Sequence, residues 1–225
     1  MNSKYLENYK NVIRGDSIIS ESLLRFSQEF IAKNNPISII ELGSDRGQLL
    51  SQLVAPSKIG LEISSQAVDE ANKVHPNFRS YSHNVLNPWT FKADLLIDSH
   101  LFHCLVFKEE RELYLKNLKQ SLYAHGRILI ECMGEPSDKD KIHFLFNEAS
   151  HIWGETNKSN TLGAISMNGR SFLPFRSWFN QETEKEIITN GLKIHSLLYS
   201  SLEFEFSIMD ETIHAPLVRL VLGHS

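Results

Sequence analysis

The sequence predicts an α/β fold: a doubly wound, mainly parallel sheet of about seven strands, closed by a C-terminal antiparallel pair. Three observations lead there. Short apolar runs (ISIIELG, KIGLEIS, FRSYSHNV, ADLLIDS and RILIEC) recur from Ile37 to Cys132 and read as strands buried on both faces. The stretches between them carry apolar residues at helical spacing, the alternation of a parallel sheet wrapped on both sides. SIIELGSDRGQLL, Ser38 to Leu50, runs from a strand through a glycine-bracketed turn into a helix, the junction at which such sheets hold nucleotide-like ligands.

Residues 1–35 form a helical lead-in, in which SLLRFSQEFIA puts Leu23, Phe26, Phe30 and Ile31 on one face before KNNP breaks the helix. Tyr5 and Tyr9 in this lead-in are candidates to roof the site. Within a cofactor-binding core over 37–133, RGQLLSQLV, SSQAVDEANKVH and FKEERELYLKNLKQSLYAHG are the predicted helices. The last has a stripe of Leu115, Leu118 and Leu122, with Gly126 where a C-cap belongs. From 134 to 180 the alternation stops. An aromatic-rich stretch (Phe144, Phe146, Trp153, Phe172, Phe175, Trp178, Phe179) reads as a cap insertion with a small core of its own. Residues 181–225 supply a final helix with Asn180 as N-cap and Gly191 as stop. The strands LKIHSLLYSSLEFEF and APLVRLVLG follow, joined by the loop MDETIHAP. One domain over 1–225 is expected.

Composition narrows the partner. With 41% apolar and 22% charged residues the chain can bury a full core. A net charge of -4, from 27 acids against 23 bases, gives no footprint for nucleic acid or an anionic membrane. The expected partner is a small molecule. Two cysteines, Cys104 and Cys132, make no disulfide framework and fit a reducing, cytoplasmic compartment. The polar N-terminus and the absence of a long apolar run predict neither signal peptide nor membrane anchor.

The turn is acidic. Glu41 and Asp45 flank Gly43 and Gly47, so a pyrophosphate would meet like charges, whereas a cationic ligand gains. The glycines are expected to let that ligand approach the backbone closely. Glu62, at the end of the second strand and about 20 residues past Gly43, stands where a carboxylate accepts from ribose hydroxyls.

On these residues, Ile37 to Met133 resembles the core of a class I S-adenosylmethionine-dependent methyltransferase of the small-molecule type, which implies a Rossmann-like fold. Its cofactor joins a ribose to a sulfonium and carries no phosphate. IIELGSDRGQL is similar to the family's glycine turn, which implies that Glu41, Gly43 and Gly47 surround the methionine part. Asp45 stands where the middle glycine is usual and tolerates left-handed backbone better than most residues. GLEISSQAVDEA resembles the ribose-binding strand end and assigns that role to Glu62. SHNVLNPW resembles the adenine-binding stretch, with Asn84, followed by Val85, in place of the usual aspartate. ADLLIDSHLFHCL resembles the fourth strand and the loop beyond it, placing Asp98 and Ser99 on the cofactor wall nearest the transferable methyl group.

Methyl transfer asks chiefly for alignment, and a general base can add roughly 10² to 10⁴ in rate. His100 and His103, beside Asp98, are the candidates; the alternative is that they pack or cap a helix. With Cys104 they lack the second Cys/His pair of a zinc site, and Asp98 alone does not make the acidic metal set of catechol-type enzymes, so no metal is predicted. LNPW falls before the fourth strand and reads as a turn instead of a nucleic-acid methylation signature. Arg170 and Arg176 are candidates to hold an acceptor carboxylate, against plain solvent exposure. A cofactor-binding protein without an acceptor site is the rival reading, kept open by Asp45 and Asn84. A nicotinamide-dependent oxidoreductase is disfavoured by the incomplete glycine pattern and the acids around it.

Overall fold

The computed structural model describes the backbone of residues 21–136, 146–147, 151–156, 165–167, 170–208 and 211–225, and the side chains of 21–136, 177–200 and 214–225. A seven-stranded sheet runs in the order β10-β11-β5-β4-β1-β2-β3. Its strands are β1 (Ser38–Leu42), β2 (Ser57–Glu62), β3 (Arg79–Ser82), β4 (Ala93–Ser99), β5 (Leu122–Met133), β10 (Leu192–Ile208) and β11 (Glu211–His224). The pairs among β1 to β5 are parallel; β11 is antiparallel to both β5 and β10. The predicted fold class is therefore the observed one.

Alternating residues separate two cores, one on each face of the sheet, as the two-residue period of a strand requires. Ile39, Leu95, Ile97 and Leu129 face Leu23 and Ile31 of α1 (Glu21–Asn34), Leu49 and Leu50 of α2 (Gln48–Gln52) and Ala71 of α3 (Ser65–Val74). Ile40, Leu96, Ile128 and Ile130 face the opposite way. There they meet Tyr114, Leu115 and Leu118 of α4 (Lys108–Gln120) and Ile187 of α5 (Gln181–Thr189). Helix α1 ends where Asn35 takes φ 47, just before Pro36. Helix α5 starts in a capping box between Asn180 and Thr183, and Gly191 at φ 76 follows its end, at the cap and stop positions the sequence marks.

Three boundaries differ from the sequence reading. Helix α4 stops at Gln120, where the Ser121 N–H bonds back to Asn117 and Leu118, and Leu122 already pairs with Ala93 in β5. Gly126 thus lies in a strand bulge, not at a helix end. A Cβ there would sit 2.6 Å from Leu122 and 3.0 Å from the Asp94 carbonyl, so the bulge itself demands the glycine. Most of the predicted loop MDETIHAP is strand: Glu211 to Pro216 pair with β10, and only Met209 and Asp210 fall outside the described residues. Since β5 joins β11 only from Leu217 on, this stretch belongs to a two-stranded extension whose polar residues give no buried-strand signal. Helix α2 has five residues; the Lys58 ammonium, donating to the Leu50 and Leu53 carbonyls at 2.9 and 2.8 Å, closes its end early.

Between β5 and α5 lies a second, antiparallel sheet, β6-β7-β9-β8, made of β6 (Phe146–Asn147), β7 (His151–Thr156), β8 (Ile165–Met167) and β9 (Arg170–Ser177). The chain leaves and re-enters the main fold side by side, with the Phe179 N–H on the Met133 carbonyl at 2.7 Å. Phe179 is not part of a separate aromatic core. It packs into the main core with Ile187 and Val218, and Trp178 is buried as well. Phe144, Tyr5 and Tyr9 lie outside the described residues, as do the side chains of Phe146, Trp153, Arg170, Phe172, Phe175 and Arg176.

Candidate cofactor site and acceptor mouth

The carboxyl ends of β1, β2, β3, β4 and β5 share one edge of the sheet. The strand order reverses at β1, with β2 on one side and β4 on the other, so the turn after β1 lies at the switch point where open α/β sheets bind ligands. In that turn Gly43, Asp45 and Gly47 all take left-handed backbone, with φ 68, 45 and 73. Conformation and packing account for both glycines before any ligand is considered. A Cβ on Gly43 would stand 3.3 Å from the Leu101 side chain, and one on Gly47 would collide with the Phe78 ring. Asp45 takes the middle position with the tolerance expected of aspartate.

Glu62 holds this turn from below. One carboxylate oxygen accepts the Asp45 N–H at 3.0 Å, and the other accepts the Ser64 N–H at 2.9 Å. A carboxylate accepts about four hydrogen bonds, so these two do not preclude ribose hydroxyls. Arg46, a base in the turn, pairs with Glu70 of α3 at 2.8 Å. Glu41 is buried at 2% exposure, accepting from the Leu50 N–H at 3.2 Å and the Ser99 hydroxyl at 3.3 Å. Burial pushes its carboxyl up to about 8, beyond what those two bonds restore, and the charges of Glu62 and Asp45 push the same way. After β3, the Asn84 side-chain oxygen accepts the Leu86 N–H at 2.9 Å, and the buried Val85 gives its carbonyl to Asn117 at 3.0 Å.

Beyond β4 the other candidates divide between the two faces. Asp98 is fully buried on the α4 side. It accepts from the Leu101 and Phe102 N–H groups at 2.7 and 3.2 Å and from the Tyr114 hydroxyl at 2.7 Å. Burial raises it to about 6 against those bonds. Asp98 therefore folds the loop that carries the histidines, and Ser99 points to Glu41 instead. His100 takes left-handed backbone at φ 71, a conformation that costs a non-glycine residue about 1–2 kcal/mol. Its Nε2 lies 2.8 Å from Glu131, a carboxylate that also accepts from Arg219 at 2.7 Å. Burial alone would raise Glu131, but the bonds from His100 and Arg219 outweigh it and hold it below its usual range. Arg219 is anchored in turn by the Ser22 hydroxyl and the Phe26 ring of α1. His103 sits 5.7 Å from His100, ring to ring, but is 5% exposed, and its Nδ1 accepts the Met133 N–H at 3.2 Å.

Glu131 and Arg219 escaped the sequence reading, although a charged residue inside RILIEC and inside PLVRLVLG, runs read as buried strands, was a signal. Arg111 escaped it too, being one charge among several in a helical stretch. Its buried guanidinium binds Glu186 of α5 at 2.7 and 2.8 Å and the Leu105 and Val106 carbonyls at 3.2 and 2.7 Å, fixing the loop after β4.

This architecture is the class I S-adenosylmethionine-dependent methyltransferase fold, and solved structures of such proteins superpose over nearly the whole chain. A methyltransferase of this kind from Clostridium acetobutylicum aligns with TM-score 0.65 at 13% identity, covering 99% of this chain and 98% of its own. One from Anabaena variabilis gives 0.65 at 17%, covering 99% and 93%. The DhpI–SAH complex gives 0.60 at 14%, covering 91% and 85%. No protein-family model matches the sequence, and no curated protein sequence does.

Proposed function

We propose that this protein is an S-adenosylmethionine-dependent methyltransferase acting on a small-molecule acceptor. The observation that carries the reading is the donor set at the switch point: Glu41, Asp45 and Glu62 meet at the ends of β1 and β2, and the turn's Arg46 is paired with Glu70. Such a mouth is hostile to phosphates and suits a ribose joined to a cation. The solved neighbours of the same fold, one in complex with SAH, support it.

The residues present fit that cofactor. Glu62 would take the ribose hydroxyls, Glu41 and the backbone from Gly43 to Gly47 the methionine part, and Asn84 with Val85 the adenine. When bound, the cofactor supplies an electrophilic methyl group with a good leaving group. The chain's own task is alignment and proton handling. Of the two histidines, His100 is the base we favour, because it is a third exposed and set by Glu131, whereas His103 is buried with one ring nitrogen on the Met133 amide. Asp98 serves that base through the loop it folds. Both cysteines are buried and neither forms a disulfide, which supports a reducing, cytoplasmic setting; no described helix is long and apolar enough to cross a membrane.

One observation favours the rival reading of a cofactor-binding subunit without turnover: the Asn84 oxygen that would take the adenine amine already serves Leu86. Calorimetry with S-adenosylhomocysteine and NADH, followed by labelled methyl transfer into a metabolite extract, separates the cases. Adenosylhomocysteine binding with labelled product is the expected result. Binding without product under any condition supports the rival, and NADH binding with no heat from adenosylhomocysteine sinks both.

A further inference from the structure

Buried or half-buried carboxylates at the mouth are compensated unequally. Glu131 has Arg219 and His100, at 2.7 and 2.8 Å. Glu62 has two backbone N–H groups at 3.0 and 2.9 Å. Glu41, the most deeply buried of the three acids that meet at the turn, has one backbone N–H and one hydroxyl at 3.2 and 3.3 Å, long for bonds to a charged acceptor, and no basic partner among the described residues. Asp45 and Glu62 add negative charge beside it. A carboxylate so placed has lost its hydration with little in return, and a neutral carboxyl group is the cheaper occupant.

We propose that cofactor binding is coupled to ionisation of Glu41: the carboxyl group keeps its proton in the protein alone and releases it to solvent when a sulfonium-bearing ligand enters the mouth. The O–H bond breaks, the proton passes to buffer, and the carboxylate left behind faces a ligand whose net charge is positive. This rests on the methyl-transfer reading of the site. It goes beyond that reading in making affinity for the charged cofactor a function of pH. After methyl transfer the sulfonium charge is gone, so the protein regains its reason to reprotonate Glu41 as product leaves.

The groups facing Glu41 are Asp45 and Glu62 from the turn and β2, Ser99 from β4, and Leu50 from α2. His100 follows Ser99, while Asp98 points to Tyr114 on the other face of the sheet. The test titrates S-adenosylmethionine itself into the full chain between pH 6 and 7, where the ligand's amino group stays protonated. With the Glu41 carboxyl at about 8, roughly a tenth of the protein is binding-competent at pH 7, so Kd rises roughly tenfold from pH 7 to pH 6. Calorimetry at pH 7 in phosphate and in bis-Tris reads close to one proton released per ligand bound.

Glu41→Gln, fixed in the neutral state, is expected to bind more weakly than the native chain at pH 7, with a flat pH profile and a buffer-independent enthalpy. Should that variant not fold, the carboxyl carbon resonance of Glu41 in the labelled native chain reports the same event, moving from its protonated to its ionised position as ligand is added at pH 7. A flat native profile, a buffer-independent native enthalpy or an unmoved resonance overturns the coupling and leaves the cofactor reading standing. No binding at any pH, with no competition from S-adenosylhomocysteine, fails the cofactor reading instead.

Discussion

Replacing Glu41 by glutamine is expected to stabilise the protein at neutral and alkaline pH, with no ligand present. The folded carboxyl titrates at about 8 against 4.5 for the free group, so the unfolded chain binds fewer protons between those values and stability falls as pH rises through the window. The contribution is complete below about 4.5 and lost by about 8. At about 1.36 kcal/mol per tenfold step of proton affinity, the whole displacement is worth roughly 5 kcal/mol, of which about 3 to 4 kcal/mol fall between pH 5 and 8. A domain's total stability is typically about 5–15 kcal/mol, so the effect is large. Glu41 is buried, so solvent screening does not reduce it. Glutamine keeps the shape: its oxygen accepts from Leu50 and its amide donates to the Ser99 hydroxyl. Urea unfolding at pH 5 and 8 is the assay. The native chain should lose about 3 kcal/mol more than the variant across that interval. Asp98, raised to about 6, adds a loss in the same direction to both proteins and drops out of the difference. Equal pH slopes for the two proteins would refute the reasoning.

Removing the Glu186 carboxylate with Glu186→Ala leaves the buried Arg111 guanidinium without its ion partner and should cost about 3–5 kcal/mol in urea unfolding; a change near zero would mean that the Leu105 and Val106 carbonyls suffice. Glu62→Ala deletes the acceptor of the Asp45 and Ser64 amides together with the proposed ribose contact. Adenosylhomocysteine affinity should fall by at least about tenfold, and an unaltered Kd would remove Glu62 from the site. Once an acceptor is in hand, His100→Ala should reduce kcat by roughly 10² to 10⁴ while adenosylhomocysteine binding stays as it was. If kcat instead survives in His100→Ala and collapses in His103→Ala with the fold intact, the base has been assigned to the wrong ring.

The sheet and its order of elements were legible because β1, β2, β4 and β5 carry apolar runs and the helices between them are periodic, and those periods are properties of the backbone. Glu41, Asp45 and Glu62 were legible as a charge pattern at predicted strand ends. Their different electrostatic situations were not, since these depend on which amides reach each carboxylate: Asp45 and Ser64 at 3.0 and 2.9 Å for Glu62, Leu50 at 3.2 Å for Glu41. Gly43 and Gly47 were found for an incomplete reason. The sequence marks them as glycines at a turn, but that their Cβ space is taken by Leu101 and Phe78 requires contacts between residues far apart in the chain. Glu131 and Arg219 were hidden differently, for they are paired across β5 and β11, and neither run discloses its partner.

The two faces of the sheet divide the site's electrostatics, and the alternation of strand residues explains why. Residues 39, 97, 129 and 221 place their apolar side chains with α1 and α2, so their neighbours Glu41, Ser99, Glu131 and Arg219, each two positions on or back, point to the same side and can interact there. Asp98, one position out of step, is turned to Tyr114 and the α4 core. The contact with Glu41 and the folding of the loop after β4 are thus carried by adjacent residues, Ser99 and Asp98, without sharing a partner. A chain of contacts therefore links α1 to the histidine loop: through Ser22 and Phe26 it fixes Arg219, His100 and Arg219 together hold the Glu131 carboxyl below its usual range, and Glu131 sets the ring of His100.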